Sequence, residues 1–304
     1  MTDRIATEVA GLKLSNPTIL ASGILGYTGL SLKTVIDAGA GAVVTKSMGN
    51  KPRTGYPNPT VVQTSYGLIN AMGLPNPGIS YFKDEIKQLK KSKIPTIVSV
   101  YGFSPEDFTK VAKKAVKIGA DALELNLSCP HIEKAGAEIG SDPKLLSVIV
   151  RDIKQAVEKP VIAKLTPNVA NIVGIAKAAQ EAGADAVTAI NTLKAMAIET
   201  ETQRPILANK YGGLSGPAIK PVAIRCVYDI HGAVDIPIIG CGGISSWQDA
   251  IEFMLAGASA VQIGTAVAFK GLNVFGQITK GINRYLKRKG FKNVNKIVGL
   301  AHES

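Results

Sequence analysis

Short apolar runs alternate along the chain with longer segments of helical periodicity. Two patterns introduce the apolar runs in turn. One is a proline followed by β-branched or aliphatic residues, and the other is Gly-Ala-x-Ala followed by a similar run. Proline is tolerated at the start of a strand, and glycine readily adopts the positive φ that ends a helix. Each pattern therefore predicts a junction from a helix to a strand.

Each pattern occurs four times, so the sequence predicts eight short strands. They are expected near residues 17–22, 41–46, 95–100, 121–127, 160–165, 184–190, 236–240 and 260–264. Strict alternation with helical segments implies parallel pairing, and eight such units close a (β/α)8 barrel. A doubly wound open sheet is the alternative. The segment 7–14 predicts a small hairpin that closes one end of the barrel.

Composition supports one barrel domain over residues 1–304. The chain is 46% hydrophobic, 19% charged and only 5% aromatic, which favours packed α/β layers over a β-sandwich. Its three cysteines are scattered and form neither a disulfide framework nor a metal site, so we expect a cytoplasmic protein. No apolar run approaches the ~18 residues of a membrane span. The net charge of +12 is spread over helical segments, which predicts a solvated surface rather than a nucleic-acid site.

Barrel enzymes carry their chemistry on the loops that follow the strands. Three of these connections are long, at residues 47–78, 128–143 and 191–217. We expect them to gather on one face and to roof a site.

Glycines at the ends of the last two predicted strands indicate a phosphate site. The sequence Gly240-Cys-Gly-Gly-Ile244 ends the seventh strand, and Gly264-Thr265 ends the eighth. Glycine lets backbone N–H groups approach an anion, and a helix N-terminus favours negative charge. A phosphorylated cofactor is therefore expected here.

Two lysines lie at or near the ends of predicted strands, which would place both at the open end of the barrel. Lys164 lies between apolar neighbours in the fifth strand, and Lys46 ends the second. A buried, unpaired ammonium is costly, so Lys164 needs an anionic partner, which a reduced flavin could supply. The alternative is that Lys164 extends to the solvent at the rim.

Cys129 is the candidate base, in the sequence Asn126-Leu-Ser-Cys-Pro-His131 after the fourth strand. A lone cysteine is usually buried and inert, but this one lies on a polar loop. A thiol close to cations can supply a thiolate that removes a proton. His131 is a competing base, while Cys226 and Cys241 are expected to be packing residues, and His231 and His302 surface or terminal ones.

Amide side chains complete the expected site. The loop 67–78 carries Asn70 beside Met72, Gly73 and Leu74, and Asn191-Thr192 follow the sixth strand. An asparagine offers a donor and an acceptor together, which matches the alternating C=O and N–H groups of a pyrimidine.

These segments resemble the class 1 dihydroorotate dehydrogenases from about Leu14 to Ala268. The most specific stretches are Asn70-Ala-Met-Gly-Leu-Pro-Asn-Pro-Gly78, Asn126-Leu-Ser-Cys-Pro130, Asn191-Thr-Leu-Lys-Ala-Met-Ala-Ile198 and Gly212-Gly-Leu-Ser-Gly-Pro-Ala-Ile-Lys-Pro221. The resemblance implies FMN as cofactor and oxidation of dihydroorotate to orotate. Cys129 would remove the proton at C5 while hydride passes from C6 to flavin N5. The membrane-linked class instead uses serine and an N-terminal helical extension, which we do not expect here.

The resemblance also implies the residues that hold each ligand. The FMN contacts are Ala21, Ser22, Lys46, Ser47, Ser99, Asn126, Lys164, Ile190, Ser215, Gly216, Gly242, Gly243, Gly264 and Thr265. The substrate contacts are Lys46, Asn70, Met72, Gly73, Leu74, Asn126, Asn191 and Thr192.

Within class 1, the segments 136–143, 165–169 and 194–198 look like the NAD-linked type. That type works with a second subunit that carries FAD and a [2Fe-2S] cluster, around a core that we expect to be a homodimer. Two positions depart from its pattern, since Ser99 and His131 stand where asparagine is usual. These departures leave the electron acceptor open.

Three rival functions share parts of this pattern. Dihydropyrimidine dehydrogenases have the same Asn-Leu-Ser-Cys-Pro-His form, but Lys46 favours a substrate with a carboxylate. The tRNA dihydrouridine synthases add a C-terminal helical domain, and barrel closure near residue 265 leaves only about forty residues for one. A non-catalytic phosphate-binding barrel would be colourless.

Overall fold

The computed structural model describes residues 3–127 and 139–303. Eight parallel strands close into a barrel, so the predicted (β/α)8 fold is confirmed and the open sheet is excluded. The strands are β1 Thr18–Leu20, β2 Ala42–Val44, β3 Thr96–Val100, β4 Ala122–Asn126, β5 Val161–Leu165, β6 Ala186–Ala189, β7 Ile238–Cys241 and β8 Ala258–Ile263. Strand β8 pairs with β1 and completes the ring.

Helices lie between the strands and begin and end on the expected signals. Ser104 caps the helix Pro105–Lys117 by accepting a hydrogen bond from the backbone of Asp107, and Gly119 follows that helix with φ of +107°. The other α-helices are Gly29–Asp37, Lys83–Leu89, Pro143–Ala156, Ile172–Glu181, Lys220–His231, Trp247–Leu255, Ala266–Lys270 and Asn273–Lys289. Across the described residues, no helix combines the length and the apolar character that a membrane crossing needs.

The predicted hairpin is present at the N-terminal end of the barrel. Strand Thr7–Val9 pairs antiparallel with Leu12–Leu14. Val9 and Leu14 are buried in one cluster with inward-facing barrel residues such as Ile162. The hairpin therefore plugs this end of the barrel with apolar side chains.

The barrel interior changes from apolar to polar along the strands. Side chains alternate between the two faces of a strand, so inward positions are two residues apart. The inward layer near the hairpin is apolar and comprises Ile19, Val44, Ile97, Ala122, Ile162, Ala186, Ile239 and Ala260. Two residues further along each strand stand Ala21, Lys46, Ser99, Glu124, Lys164, Thr188, Cys241 and Gln262. The polar layer therefore forms the floor of the open end.

Two of the long connections form a sheet rather than irregular loops. Strands Val61–Thr64 and Gly67–Asn70 come from the first connection, and Leu193–Ala195 and Gly212–Ser215 from the third. They pair antiparallel, with Gly67–Asn70 next to Gly212–Ser215 in the middle. We call this the cap sheet. The short strands Ile198–Glu199 and Arg204–Pro205 pair beside it.

Candidate active site

A cavity of about 1240 Å³ lies at the open end of the barrel, and residues of the cap sheet line part of it. Its volume exceeds the 300–1,000 Å³ that is usual for one small ligand, so it can hold two. Every proposed site residue that the structure describes lines this cavity: Ala21, Ser22, Lys46, Ser47, Asn70, Met72, Gly73, Leu74, Ser99, Asn126, Lys164, Ile190, Asn191, Thr192, Ser215, Gly216, Gly242, Gly243, Gly264 and Thr265. Cys129 and His131 lie outside the described residues.

The glycine end of the cavity has the geometry of an anion site. Gly242 and Gly243 have φ of +135° and +75°, which glycine adopts without strain. In the part of the chain that the structure describes, the backbone N–H groups of Gly243, Gly264 and Thr265 have no backbone acceptor. These half-buried N–H groups are available as donors, and a phosphate would accept hydrogen bonds from them.

Lys46 is a buried cation at the cavity wall, with 6% of its surface exposed. The Lys46 ammonium lies over the ring of Tyr27, 5.9 Å from its centroid. Among the described residues no carboxylate pairs with Lys46. Burial therefore lowers the pKa of Lys46 below the usual lysine value. A site of this kind favours an anionic ligand, because a negative charge offsets the cost of burying the ammonium.

A chain of hydrogen bonds orients the polar groups between β1, β2, β3 and β4. Ser47 Oγ lies 3.3 Å from Ser22 Oγ and 2.9 Å from Ser99 Oγ. It also accepts a hydrogen bond of 3.0 Å from Asn126 Nδ2. The oxygen of the Asn126 amide in turn accepts one of 3.5 Å from Asn191 Nδ2. Ser99 is thus joined to the amides through Ser47.

Lys164 has an anionic partner within the protein. Its ammonium donates to Glu124 Oε1 at 3.4 Å and to Gln262 Oε1 at 2.9 Å. Only 5% of Lys164 is exposed, so it does not extend to the solvent at the rim. Glu124 therefore already supplies the anionic partner that the sequence called for, and Lys164 also lines the cavity.

Asn76 anchors the loop that carries Met72, Gly73 and Leu74. Its Nδ2 donates to Tyr101 Oη at 2.8 Å and to the carbonyl of Leu74 at 2.9 Å. Its Oδ1 accepts from the backbone of Gly49 and Gly78. The amide of this one buried residue therefore joins the loop to strand β3 and to the start of the first long connection.

Sequence reasoning missed four residues that shape the site: Glu124, Thr188, Gln262 and Tyr101. The first three are polar residues inside apolar strands, and this was the available signal. To use this signal, one must know which alternate positions of each strand face the barrel interior, because a polar residue in a strand can face either the interior or the helices. Nothing in the sequence pattern pointed to Tyr101 as a partner of Asn76.

The cavity therefore has an anion site at its glycine end and the ammonium of Lys164 on its floor. The second ammonium, that of Lys46, lines the same cavity as the hydrogen-bonded amides of Asn126 and Asn191. This arrangement fits an elongated phosphorylated cofactor with a planar polar ring, and a smaller anionic ligand next to it. The floor itself is closed by side chains of the barrel, so both ligands would enter from the cap side.

Comparison with known proteins agrees with this geometry. The family model of dihydroorotate dehydrogenase matches residues 4–286. A protein of Pyrococcus abyssi named dihydroorotate dehydrogenase B (NAD(+)), catalytic subunit, is 55% identical over 98% of this chain and 99% of its own. Proteins with the same name from Methanocella arvoryzae and Pyrococcus furiosus are each 54% identical, over 98% of this chain and 98% and 99% of theirs. The chain therefore belongs to the dihydroorotate dehydrogenase family of flavin-dependent oxidoreductases.

Proposed function

We propose that residues 1–304 act as one FMN-binding barrel domain that oxidises dihydroorotate to orotate. The observation that carries this proposal is Lys46, a buried cation that has no carboxylate partner among the described residues and lines the cavity together with Asn70, Asn126 and Asn191. A pyrimidine that carries a carboxylate meets both requirements, because the ammonium offsets its charge and the amides match its ring edge. Membership of the family supports the reaction class.

The cofactor would lie along the cavity, with its phosphate at the glycine end. Gly242, Gly243, Gly264 and Thr265 would hold the phosphate through backbone N–H groups. The ring would contact Ala21, Ser22, Lys46, Ser47, Ser99, Asn126, Lys164, Ile190, Ser215 and Gly216. When bound, FMN supplies the acceptor for the hydride that leaves C6 of dihydroorotate. No metal is proposed, and no group of three or more potential metal ligands occurs among the described residues.

The substrate would lie between the ring and the loop 70–74. Lys46 would bind its carboxylate, and Asn70, Asn126, Asn191 and Thr192 would bind the polar edge of the pyrimidine. Met72, Gly73 and Leu74 would enclose it from the loop. Uracil and dihydrouracil lack the carboxylate, so this site would leave the Lys46 ammonium unpaired with either of them and discriminate against both.

Cys129 would act as the base that removes the proton from C5. Support comes from the motif Asn126-Leu-Ser-Cys-Pro130 and from Asn126, which lies three residues earlier and lines the cavity. A base must reach the proton that it removes, and the chain leaves β4 at the cavity wall.

A second subunit would carry the electrons onward. The relatives are named catalytic subunit of an NAD(+)-linked enzyme. We infer a partner that carries FAD and a [2Fe-2S] cluster, with NAD+ as acceptor, around a homodimer of this chain.

Anaerobic mixing of the purified protein with dihydroorotate tests the proposal. We expect a yellow protein whose flavin absorbance is bleached by dihydroorotate and not by dihydrouracil. Bleaching by dihydrouracil alone would favour pyrimidine reduction, and a colourless preparation that takes up no FMN would refute a flavin enzyme.

A further inference from the structure

Glu124 is a fully buried carboxylate in the polar layer at the cavity floor, and neither ligand proposed above contacts it. Three donors from three other strands meet its two oxygens. Oε1 accepts from the ammonium of Lys164, and Oε2 accepts from Thr188 Oγ1 at 3.0 Å and from Gln262 Nε2. Such a set of donors stabilises the ionised carboxylate.

Gln262 completes a closed arrangement. Because its Nε2 donates to Glu124, its Oε1 is the atom that accepts from Lys164, at 2.9 Å. The Lys164 ammonium has three N–H donors. Two of them are used by Glu124 and Gln262, and within the described residues no third acceptor lies at this nitrogen. One donor therefore remains for a ligand in the cavity that Lys164 lines.

The positive charge of Lys164 depends on Glu124. Burial, the largest single influence, would lower the pKa of Lys164 and favour the neutral amine. The charge of Glu124, the charge of Cys241 and the hydrogen bond to Glu124 together raise that pKa instead. The other titratable group that acts on Lys164 is Cys241 on β7, whose own pKa is raised by burial. Lys46 lines the same cavity, and Thr188 and Gln262 do not titrate. Glu124 is thus the one carboxylate paired with Lys164 in the described part of the chain.

We propose that Glu124 is a positioning residue that keeps Lys164 protonated and holds its ammonium at the cavity floor, with one N–H available to the cofactor ring. The identity of that ligand rests on the proposed function, whereas the charge and the placement of Lys164 do not. Glu124 and Asn126 lie two positions apart in β4. This one strand therefore carries both the carboxylate that holds Lys164 and an amide proposed to bind the substrate.

Titration of Lys164 in the full-length apoprotein tests the charge directly. Lysine side-chain nitrogens are followed by NMR in wild type and Glu124→Gln, with Lys164→Met to assign the signal. We expect Lys164 to lose its proton at a clearly lower pH in Glu124→Gln than in wild type, because the variant keeps the burial and lacks the carboxylate. The same titration of Lys164 in both proteins would overturn the proposal.

FMN affinity measured from pH 6 to pH 9 tests the consequence. In Glu124→Gln, FMN affinity is expected to fall more steeply with rising pH than in wild type, by up to about tenfold per pH unit above the Lys164 pKa, because each such unit removes nine-tenths of the remaining cation. Thr188→Val removes a donor to Glu124 and keeps the charge, so its affinity should have the pH dependence of wild type. An affinity for Glu124→Gln with that same pH dependence would overturn the cofactor part. Failure of wild type to bind FMN would refute the proposed function and leave the Lys164 titration standing.

A double variant covers the case in which Glu124→Gln does not fold. If the carboxylate serves Lys164, the Glu124→Gln/Lys164→Met protein lacks both charges of this buried ion pair and should fold. Failure of this double variant to fold, while Lys164→Met alone folds, would assign Glu124 a purely structural role and overturn the proposal.

Discussion

The side-chain amide of Asn76 donates a 2.8 Å hydrogen bond to the hydroxyl of Tyr101, and both side chains are buried. This bond ties the loop that borders the cavity to the end of β3. Within the same loop, Asn76 Nδ2 also donates to the carbonyl of Leu74, and Asn76 Oδ1 accepts from the backbone N–H of Gly78. The loop that would enclose the substrate is therefore held by buried polar contacts rather than by apolar packing alone.

Tyr101→Phe should loosen this loop. The change leaves one buried N–H of Asn76 without its acceptor, so we expect a loss of about 1–3 kcal/mol in unfolding free energy. The KM for dihydroorotate should rise. Tyr81→Phe, at a tyrosine that is 63% exposed, should change the unfolding free energy by less than about 0.5 kcal/mol. Denaturant unfolding and steady-state assays measure both effects, and equal stability of the two variants would contradict the role of Tyr101.

Orotate affinity should fall at alkaline pH because of Lys46. Its pKa is lowered by burial, so the ammonium loses its proton at a lower pH than an exposed lysine does. An anion binds the protonated form, and binding should weaken as the pH rises through this pKa. Titration of flavin absorbance with orotate between pH 6 and pH 10 measures the effect. Lys46→Met should bind weakly at every pH, whereas the exposed Lys51→Met should behave as wild type does.

Cys129→Ala should retain FMN and slow flavin reduction by dihydroorotate roughly 10²–10⁴-fold, the usual contribution of a general base. Cys129→Ser should keep more activity, because a hydroxyl can still accept the proton. Stopped-flow absorbance measures the reduction step. Cys226→Ala is the matched control, since burial raises the pKa of this thiol and it does not line the cavity. Near-normal reduction in Cys129→Ala would refute the assignment.

Gly264→Ala separates cofactor binding from folding. Gly264 does not have a positive φ, and an added Cβ would lie 3.4 Å from the Cβ of Ala21, an ordinary contact. The apoprotein should therefore fold with wild-type stability. The methyl group would occupy the proposed phosphate cradle and weaken FMN binding by about 1–3 kcal/mol, the usual cost of overpacking. Gly232→Ala, with no atom near its Cβ, should leave FMN affinity unchanged. Flavin fluorescence titration distinguishes the two.

His231 makes the stability sensitive to acid. Its ring lies 4.8 Å from that of His302, which stacks on Tyr228 at 3.8 Å. Both histidines, expected at the surface or the terminus, are half-buried and belong to one cluster of rings. Burial, and then His302, lower the pKa of His231. As the pH falls through about 6.5, His231 takes up a proton in the unfolded chain but is still neutral in the folded chain. Acidification therefore favours the unfolded state and lowers the free energy of unfolding. We expect Tm to fall less on acidification from pH 7.5 to pH 5.5 in His231→Gln than in wild type. An equal fall in both proteins would contradict this role.

The sequence predicts the barrel well because each helix-to-strand junction carries a local signal. Gly119 and Ser104, for example, act through their own backbone and nearest neighbours. The glycine cradle and both lysines follow from the strand ends by the same reasoning. The cap sheet could not be predicted in this way. Its strands are short, Val61–Thr64 is largely exposed, and their pairing partners lie far away in the chain.

Glu124 shows a second limit. A charged residue in an apolar strand is visible in the sequence, but its partners come from β5, β6 and β8. Only closure of the barrel brings these strands around one carboxylate. The interpretation of Lys164 therefore looked for an external anion where the fold supplies an internal one.

The cap sheet has a consequence for synthesis of the protein. Gly67–Asn70 leaves the ribosome long before Gly212–Ser215, and Asn70 meets Gly213 across a separation of 143 residues. Until then the early hairpin has an unpaired edge, which is a template for pairing with other chains. The nascent protein thus completes its cap sheet only after Gly212–Ser215 has been made, and a chain truncated before residue 212 would expose an unpaired strand edge.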